Sequence, residues 1–293
     1  MMFQQFVANG IIAGSIYALI ALGFTVIYRT VKFFHFAHGV VYTVGAYSAY
    51  TLFIALHINP LISFLLSVSI CALLGIVIDK GVYYPLRIKK ASNLIFLLAS
   101  FGVFIFLQNL IQLIYGAQIL TLRTGPVREG YHILSAVITP IQIWILVVSW
   151  GLLAVLWGFV KYTKLGKAMR AVSDDPVAAS VVGINPDKTI LASFAIGSAL
   201  AGAAGILISL ETNIEPTMGF SAILKGIIAS IIGGIGSIPG AMLGGFFIGI
   251  VENLGIWKIQ AGWKDSIAFA ILIIFLLLRP GGIFGVKTPK ETI

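Results

Sequence analysis

The sequence predicts an all-α membrane protein that crosses the bilayer eight to ten times, because the chain is apolar, nearly free of charge and divided by short polar loops. Of its 293 residues, 59% are hydrophobic and only 10% are Asp, Glu, Lys or Arg, whereas ordinary soluble domains carry about 25% charged residues. A helix needs roughly 20 apolar residues to cross a hydrocarbon layer about 30 Å thick, and seven charge-free stretches make up most of the chain. This composition excludes a soluble enzyme, a disulfide-linked scaffold and a disordered protein.

Nine segments are predicted to span the membrane, with a glycine-rich break between the seventh and the eighth. They cover residues 7–28, 36–58, 61–78, 93–115, 138–160, 189–210, 223–238, 241–257 and 266–278. The count is eight to ten because the glycine-rich region either crosses twice or forms one span with a re-entrant segment. The loops are too short for a second domain, so we expect residues 1–293 to form one membrane domain.

The basic residues predict the orientation of the chain. The formal net charge is +9, which in a membrane protein concerns topology, so the bilayer and not a nucleic acid is the expected partner. With the N-terminus outside, fourteen Lys and Arg residues fall in inner loops and four in outer loops. Cytoplasmic loops carry such an excess of positive charge, so we expect an outer N-terminus and a cytoplasmic C-terminus.

The inner loop 161–188 begins with four basic residues spaced three apart, which we expect on one face of a helix that leaves the membrane. They are Lys161, Lys164, Lys167 and Arg170.

A short helix is predicted next in this loop. Asp174 and Asp175 precede Pro176, and an acidic cap followed by proline is typical of a helix start. Gly183 can end the helix after about two turns, and a helix this short needs packing from a partner. Its apolar edge suits either a groove on another protein or the membrane interface.

Charged residues within spans are costly in lipid and are therefore functional candidates. Lys225 and Glu252 flank the glycine-rich break at similar depth towards the outer side, so they either form an ion pair or each extend to the outer interface. His35 and His38 stand three apart, but no carboxylate or cysteine accompanies them and we expect no metal site. We interpret their segment as the interfacial start or a break of the second span, with its rings at headgroup level, and as a candidate gate.

The break at residues 233–240, GGIGSIPG, contains too many glycines and a proline to remain a regular helix. It is either a turn on the inner side, which we prefer, or irregular backbone that lines a route through the protein. The candidate translocation or gating residues are His38, Gly39, Lys225, Gly233, Gly236 and Glu252.

Small residues also recur four apart, which lets helix backbones approach closely in lipid. The rows are Ser193, Gly197, Ala201 and Gly205; Gly236, Gly240 and Gly244; and Gly245 and Gly249. We expect them to form packing seams, along which helices could tilt during alternating access.

Five segments of the chain resemble, in order and near spacing, the membrane subunit of branched-chain amino-acid ABC importers. They are GxxxGSIYALIALGFTVIY at 10–28, FHFAHG at 34–39, RAVSDDPVAASVVGIN at 170–185, GGIGSIPGAMLGG at 233–245 and RPGGIFG at 279–285. The resemblance covers essentially the whole chain. Related urea and amide importers share much of the pattern, although FAHG is closer to the amino-acid branch.

The resemblance implies a permease of the bacterial inner membrane that pairs with a homologous permease, two cytosolic ATP-binding subunits and an extracytoplasmic binding protein. It implies no cofactor and no catalytic residue, and it favours docking of the short cytosolic helix on the ATPase over a position at the membrane interface. The coupling residues expected on this basis are Arg170, Asp174, Asp175, Pro176, Ala178 and Gly183.

Two other functions are weaker interpretations. GFSA at 219–222 superficially resembles the serine environment of intramembrane proteases, but all four histidines precede it, opposite to the order in that family. A stand-alone ion-coupled carrier usually needs charged relays inside its spans, and only Lys225 and Glu252 qualify. A low intramembrane charge fits an importer driven by separate ATPases better.

Overall fold

The computed structural model describes residues 2–123, 129–133 and 135–284, and almost all regular structure in these ranges is helical. The α-helices are α1 Met2–Val31, α2 Ala37–Tyr50, α3 Pro60–Ile78, α4 Tyr84–Ile88, α5 Asn93–Tyr115, α6 Pro140–Tyr162, α7 Lys164–Asp174, α8 Pro176–Val181, α9 Pro186–Ser209, α10 Met218–Gly233, α11 Ile238–Gly255 and α12 Lys264–Leu278. Outside these ranges lie Gly285 of the RPGGIFG segment and three of the basic loop residues counted above, namely Arg128, Lys287 and Lys290.

The prediction of a polytopic all-α protein is confirmed. Six helices among the described residues are long and apolar enough to cross a membrane, and α2, α10 and α12 are shorter helices at three further predicted spans. Wider π-helical turns at Thr51–Ala55 and Asp79–Tyr83 extend α2 and join α3 to α4. One small sheet was not expected: strands β1 Tyr131–Ile133 and β2 Ala136–Ile138 form an antiparallel hairpin.

The local sequence explains where several helices begin. A capping side chain followed by proline starts α3, α6, α8 and α9. The side-chain oxygen accepts a hydrogen bond from a backbone N–H of the first turn, and proline fits the first helical position because it has no N–H to leave unpaired. The capping residues are Asn59, Thr139, Asp175 and Asn185.

Helix α1 lies at the centre of the bundle and packs against α9, α10 and α11. Helices α1 and α11 run antiparallel and so close that a Cβ atom on Gly245 would lie 2.5 Å from the Cα atom of Ala18. By contrast α3, α5 and α6 lie at the periphery and expose most of their side chains. The predicted seam of Gly245 and Gly249 therefore holds the two backbones in direct contact.

The other predicted rows have mixed outcomes. Gly197 packs against α1, and Gly205 packs against the carbonyl oxygen of Tyr42 on α2, so that row is a seam. Gly240 faces Gly233 across the α10–α11 contact. The inclusion of Gly236 in a helical row was wrong, because this residue lies in the turn before α11 with φ of +86°.

The loops sort into two groups at opposite ends of the bundle. At one end, which we call the α7 end, Arg29 donates a hydrogen bond from Nε to Ser173 Oγ at 3.2 Å and lies beside Gly236. At the other, the hairpin end, Gln5 bonds to Val137 and Leu120 pairs with Ile214. This separation agrees with the predicted inner and outer loops, whereas the cytoplasmic orientation of the α7 end stays a prediction from charge.

Candidate coupling and translocation sites

The short helix predicted in the inner loop is α8, and its caps are those that the sequence indicates. Asp175 Oδ1 accepts hydrogen bonds from the backbone N–H groups of Val177 and Ala178 at 2.8 and 3.1 Å. Gly183 follows the helix with φ of +86°, a left-handed conformation that glycine adopts without a steric penalty. Asp174, Pro176 and Ala178 are exposed around this start.

One edge of α8 is apolar and open. Val177, Val181 and Val182 are 72%, 83% and 73% exposed, while Ala179 is buried and fixes the opposite edge to the bundle. The backbone N–H of Ile184 donates to the carbonyl oxygen of Ala179 at 3.0 Å, which closes the turn into α9. The fold thus presents a small apolar edge on a segment held at both ends.

The expectation of one basic helical face was wrong, because the helix breaks at Thr163. Thr163 ends α6 in an extended conformation and caps α7, with its Oγ1 accepting from the N–H of Gly166 at 3.0 Å. Lys161 therefore belongs to α6, and the later basic residues belong to α7. Arg170 points back to α6 and donates from Nη1 to the carbonyl oxygen of Val160 at 2.7 Å, so it fastens α7 to the end of α6.

The α7 end carries further charges close to this segment. Partial burial and the neighbouring Arg29 lower the pKa of the Lys32 ammonium, while Asp174 opposes this shift. Arg29 also bonds Ser173, as described above. The last turn of α1 is therefore in electrostatic and hydrogen-bond contact with the last turn of α7.

The glycine-rich break is a tight turn at the α7 end, as preferred from the sequence. Gly234 and Gly236 adopt φ of +106° and +86° between α10 and α11. The chain after α12 packs on this turn, where the N–H of Phe284 donates to the carbonyl oxygen of Gly233 at 2.9 Å. A Cβ atom on Gly282 would lie 2.5 Å from the nitrogen of Gly234. The GGIG and RPGGIF segments, distant in sequence, are thus one structural unit.

The ion pair between Lys225 and Glu252 forms, with Nζ 3.2 Å from Oε2. Two further partners were missed: Tyr17 donates its hydroxyl proton to Glu252 Oε2 at 3.0 Å, and Asp265 Oδ1 lies 3.0 Å from Lys225 Nζ. The Glu252 side chain is fully buried, whereas that of Asp265 is 58% exposed. Asp265 lies one residue before the ninth predicted span. A carboxylate at the start of a span was the sequence signal that could have identified it as a partner of Lys225.

The segment FHFAHG includes a non-helical break before α2, which was one of the two expected forms. It lies inside the bundle, so the expectation of rings at headgroup level was wrong. His35 and His38 are both completely buried. Their rings are held there because His35 Nδ1 hydrogen-bonds the Tyr83 hydroxyl at 2.9 Å and His38 Nε2 lies 3.3 Å from the carbonyl oxygen of Ile20. Ile20 is eleven residues before the end of α1, or roughly 16 Å of helix, so the non-helical chain runs back deep into the bundle before α2 starts.

Gly39 marks a close approach of the second span, whose helix α2 starts at Ala37, to α10. A Cβ atom there would lie 2.5 Å from the carbonyl oxygen of Gly219 at the start of α10 and 2.9 Å from the Ile223 side chain. The candidate gating residues therefore separate into three places: His38 and Gly39 at the α1–α2–α10 junction, Lys225 and Glu252 in the ion network, and Gly233 and Gly236 at the turn.

A second buried charge pair was also missed. Arg87 donates from Nη1 and Nη2 to the two carboxylate oxygens of Asp79 at 2.6 and 3.2 Å, and its Nε lies 3.7 Å from Asp187. From the sequence, Arg87 is only one of the fourteen inner-loop basic residues, because a loop is expected where α3 continues into α4. In the described parts of the chain, no group of three or more His, Cys, Asp and Glu side chains could hold a metal ion.

The bundle of apolar helices, the broken second span and the exposed helix between two spans define a multi-pass membrane permease. Residues 6–276 match the family model described as "Branched-chain amino acid transport system / permease component". The chain belongs to this family, and it is thus the permease component of an ABC transporter for branched-chain amino acids.

Two curated relatives show how far the likeness extends. The chain is 38% identical over 296 residues to the high-affinity branched-chain amino acid transport system permease protein LivH of Escherichia coli K12, covering 97% of this chain and 96% of that protein. It is equally similar, with the same coverage, to the permease protein BraD of Pseudomonas aeruginosa. The solved structure of PsaBC from Streptococcus pneumoniae in complex with Fab aligns at a TM-score of 0.50 with 13% identity, over 97% of this chain and 92% of that one, and shows the fold alone.

Proposed function

We propose that this permease imports branched-chain or other neutral amino acids across the bacterial inner membrane as one subunit of a larger assembly. Its partners are a second homologous permease, two cytosolic ATP-binding subunits and an extracytoplasmic binding protein that delivers the substrate. The family and its relatives support the transport class. The chain acts as the conduit, and ATP hydrolysis takes place on the partner subunits.

The observation that carries this proposal is the exposed apolar edge of α8. Val177, Val181 and Val182 protrude into solvent from a helix of six residues, which gains little stability from its own hydrogen bonds. A short amphipathic helix of this kind is stabilised when its apolar edge enters a groove. We infer that the groove belongs to the ATPase and that Asp174, Asp175 and Pro176 set the angle at which α8 enters it.

The base of α8 would transmit motion from the ATPase into the membrane. Arg170 fastens α7 to α6, and Arg29 fastens α7 to α1. A displacement of α8 therefore acts on two spans through hydrogen-bonded contacts. Movement passed along α1 would reach His38 and Gly39 at the second span, which are candidate gating residues of the translocation route.

The test is Val181→Asp in the complete importer, purified with its partners and reconstituted into vesicles. A charge on the apolar edge should reduce both co-purification of the ATPase and ATP-driven leucine uptake. The control is Lys167→Gln on the exposed surface of α7. It lowers the net charge by one, as Val181→Asp does, but it leaves α8 unchanged. Normal assembly and uptake by the Val181→Asp importer would contradict the coupling role.

The substrate and energy source are tested in the same vesicles. Leucine, isoleucine or valine uptake should require ATP and the binding protein. Faster uptake of urea than of leucine would favour the urea and amide importers. Accumulation by this chain alone from an ion gradient would instead identify a secondary transporter.

A further inference from the structure

Helices α5 and α10 both pack on α2 and leave a groove whose middle section is aromatic. The ring centroids of Phe36 and Phe101 are 5.8 Å apart, those of Phe101 and Phe104 are 6.2 Å apart, and those of Phe104 and Phe220 are 6.0 Å apart. Phe104 is buried beneath the others, whereas Phe101 and Phe220 are 39% and 43% exposed. Phe101 lies about 12 Å along α5 from its first residue, so this aromatic strip of Phe36, Phe101, Phe104 and Phe220 lies at membrane depth.

A polar cleft continues the groove towards the hairpin end. It has a volume of about 270 Å³, and its polar lining of Gln112, Glu215 and Thr217 is joined by Ala117, Ile119 and Pro216. Glu215 contributes a carboxylate, which complements the charge of an ammonium group. The cleft is thus large enough for an amino acid and carries the charge that attracts its amino group.

Lipid is a poor occupant of this face. Phe101, Asn109 and Gln112 lie within an arc of about 80° on the exposed side of α5. Leu98 and Ile105 are exposed in the same arc, so this side of the helix mixes apolar and polar side chains. The amide of Asn109 bonds only to its own helix, at the carbonyl oxygen of Ile105, and polar side chains within spans favour a wet cavity or another protein over lipid. The floor includes the non-helical segment before α2, and irregular backbone at this depth is tolerated inside protein or beside a water-filled cavity.

A second groove, between α3, α6 and α9, differs from the groove of α2, α5 and α10 in having no polar lining among the described residues. The groove between α3, α6 and α9 exposes apolar atoms alone, from residues such as Val155, Leu152 and Ile196. Such a surface suits lipid chains. The polar side chains of Asn109 and Gln112 on α5 therefore distinguish that face from this all-apolar groove.

We propose that the groove of α2, α5 and α10 is the wall of the translocation route, with the polar cleft receiving the substrate ammonium and the aromatic strip passing its branched side chain. The inference rests on the proposed function, which it deepens by naming the residues that face the substrate. Aromatic faces accept both the apolar side chain and a passing ammonium. A narrow apolar section also limits water leakage, as hydrophobic constrictions do in channels.

Single cysteines in the assembled importer test the proposal with a charged, membrane-impermeant methanethiosulfonate reagent. The native Cys71 is completely buried and gives the background. Phe101→Cys is paired with Val155→Cys, at nearly the same distance from the α7 end of its own helix, and Gln112→Cys is paired with Leu113→Cys, its neighbour on α5. The groove cysteines should react about tenfold faster, because only a hydrated thiol ionises and reacts, and leucine should slow the reaction during ATP turnover.

Equal, slow labelling within both pairs would overturn the proposal by placing the groove in lipid. Each variant is first checked for co-purification with its partner subunits. If one variant fails to assemble, the comparison is made with the other cysteine pair. Substrate selection gives a second measurement: Phe220→Ala should lower the ratio of leucine to alanine uptake several-fold, and Val155→Ala should not. Fast groove labelling without any ATP-driven uptake by the unmodified importer would contradict the proposed function but not the presence of a wet groove.

Discussion

The buried network around Lys225 allows a quantitative prediction. Its ammonium contacts Glu252 Oε2, Asp265 Oδ1 and the Tyr17 hydroxyl at 3.0 to 3.2 Å, and the Glu252 side chain is fully buried. Lys225→Met leaves that carboxylate with only the tyrosine hydroxyl as a partner. Because an unpaired buried charge costs roughly 3–5 kcal/mol, we expect the free energy of unfolding to fall by about 3 kcal/mol.

Two matched variants separate this effect from lost packing. Asp265→Asn should cost less than about 1 kcal/mol, since an exposed partner is screened by water. Lys225→Met combined with Glu252→Gln should recover most of the loss, because the glutamine needs no counter-charge and still bonds Tyr17. The measurement is reversible unfolding in mixed micelles. The reasoning is refuted if Lys225→Met is as stable as the unmodified protein, or if the double variant is no more stable than the single one.

Three further predictions follow from other contacts. Arg87→Met should destabilise the protein by about 3 kcal/mol because Asp79 loses its bidentate partner, and unfolding equal to that of the unmodified chain would show that Asp79 does not need the guanidinium. Gly245→Ala should cost about 1–3 kcal/mol in the same assay, whereas Gly151→Ala on α6, with open space around it, should be neutral or slightly stabilising; equal effects would contradict the seam. Asp175→Ala should remove about 1 kcal/mol of helix capping and lower leucine uptake per ATP hydrolysed while partners still co-purify; unchanged coupling would show that the cap is dispensable.

The sequence predicted the membrane spans and the start of α8 because these depend on local signals. A charge-free stretch of sufficient length specifies a span by itself, and Asp175 followed by Pro176 specifies a helix start without any tertiary contact. The turn at Gly234 and Gly236 was predictable for the same reason, since repeated glycine prevents a regular helix. Glu252 was a recognisable candidate because charge is rare within these spans.

The sequence could not predict how deep the two histidines lie in the bundle, or which side chains distant in sequence form contacts. His35 and His38 looked interfacial because they follow a basic loop, and only their contacts with Tyr83 and Ile20 show that the chain folds back into the bundle. Asp265 was assigned to a loop because the charge-free stretch of the ninth span begins one residue later. Such partners are separated by 18 to 48 residues in these examples, so no local periodicity connects them.

The most deeply buried helix is also the one that joins the separate sites. Along α1, Tyr17 bonds the ion network, the carbonyl oxygen of Ile20 meets His38, and Arg29 holds Ser173 on α7. Energetic coupling between sites can travel along such chains of packed and hydrogen-bonded groups. Because Gly245 brings the backbone of α11 against that of α1, the two helices cannot separate without losing this contact. We therefore expect a force applied at α7 to act on α1 and α11 together and to reach the second span along the same helix.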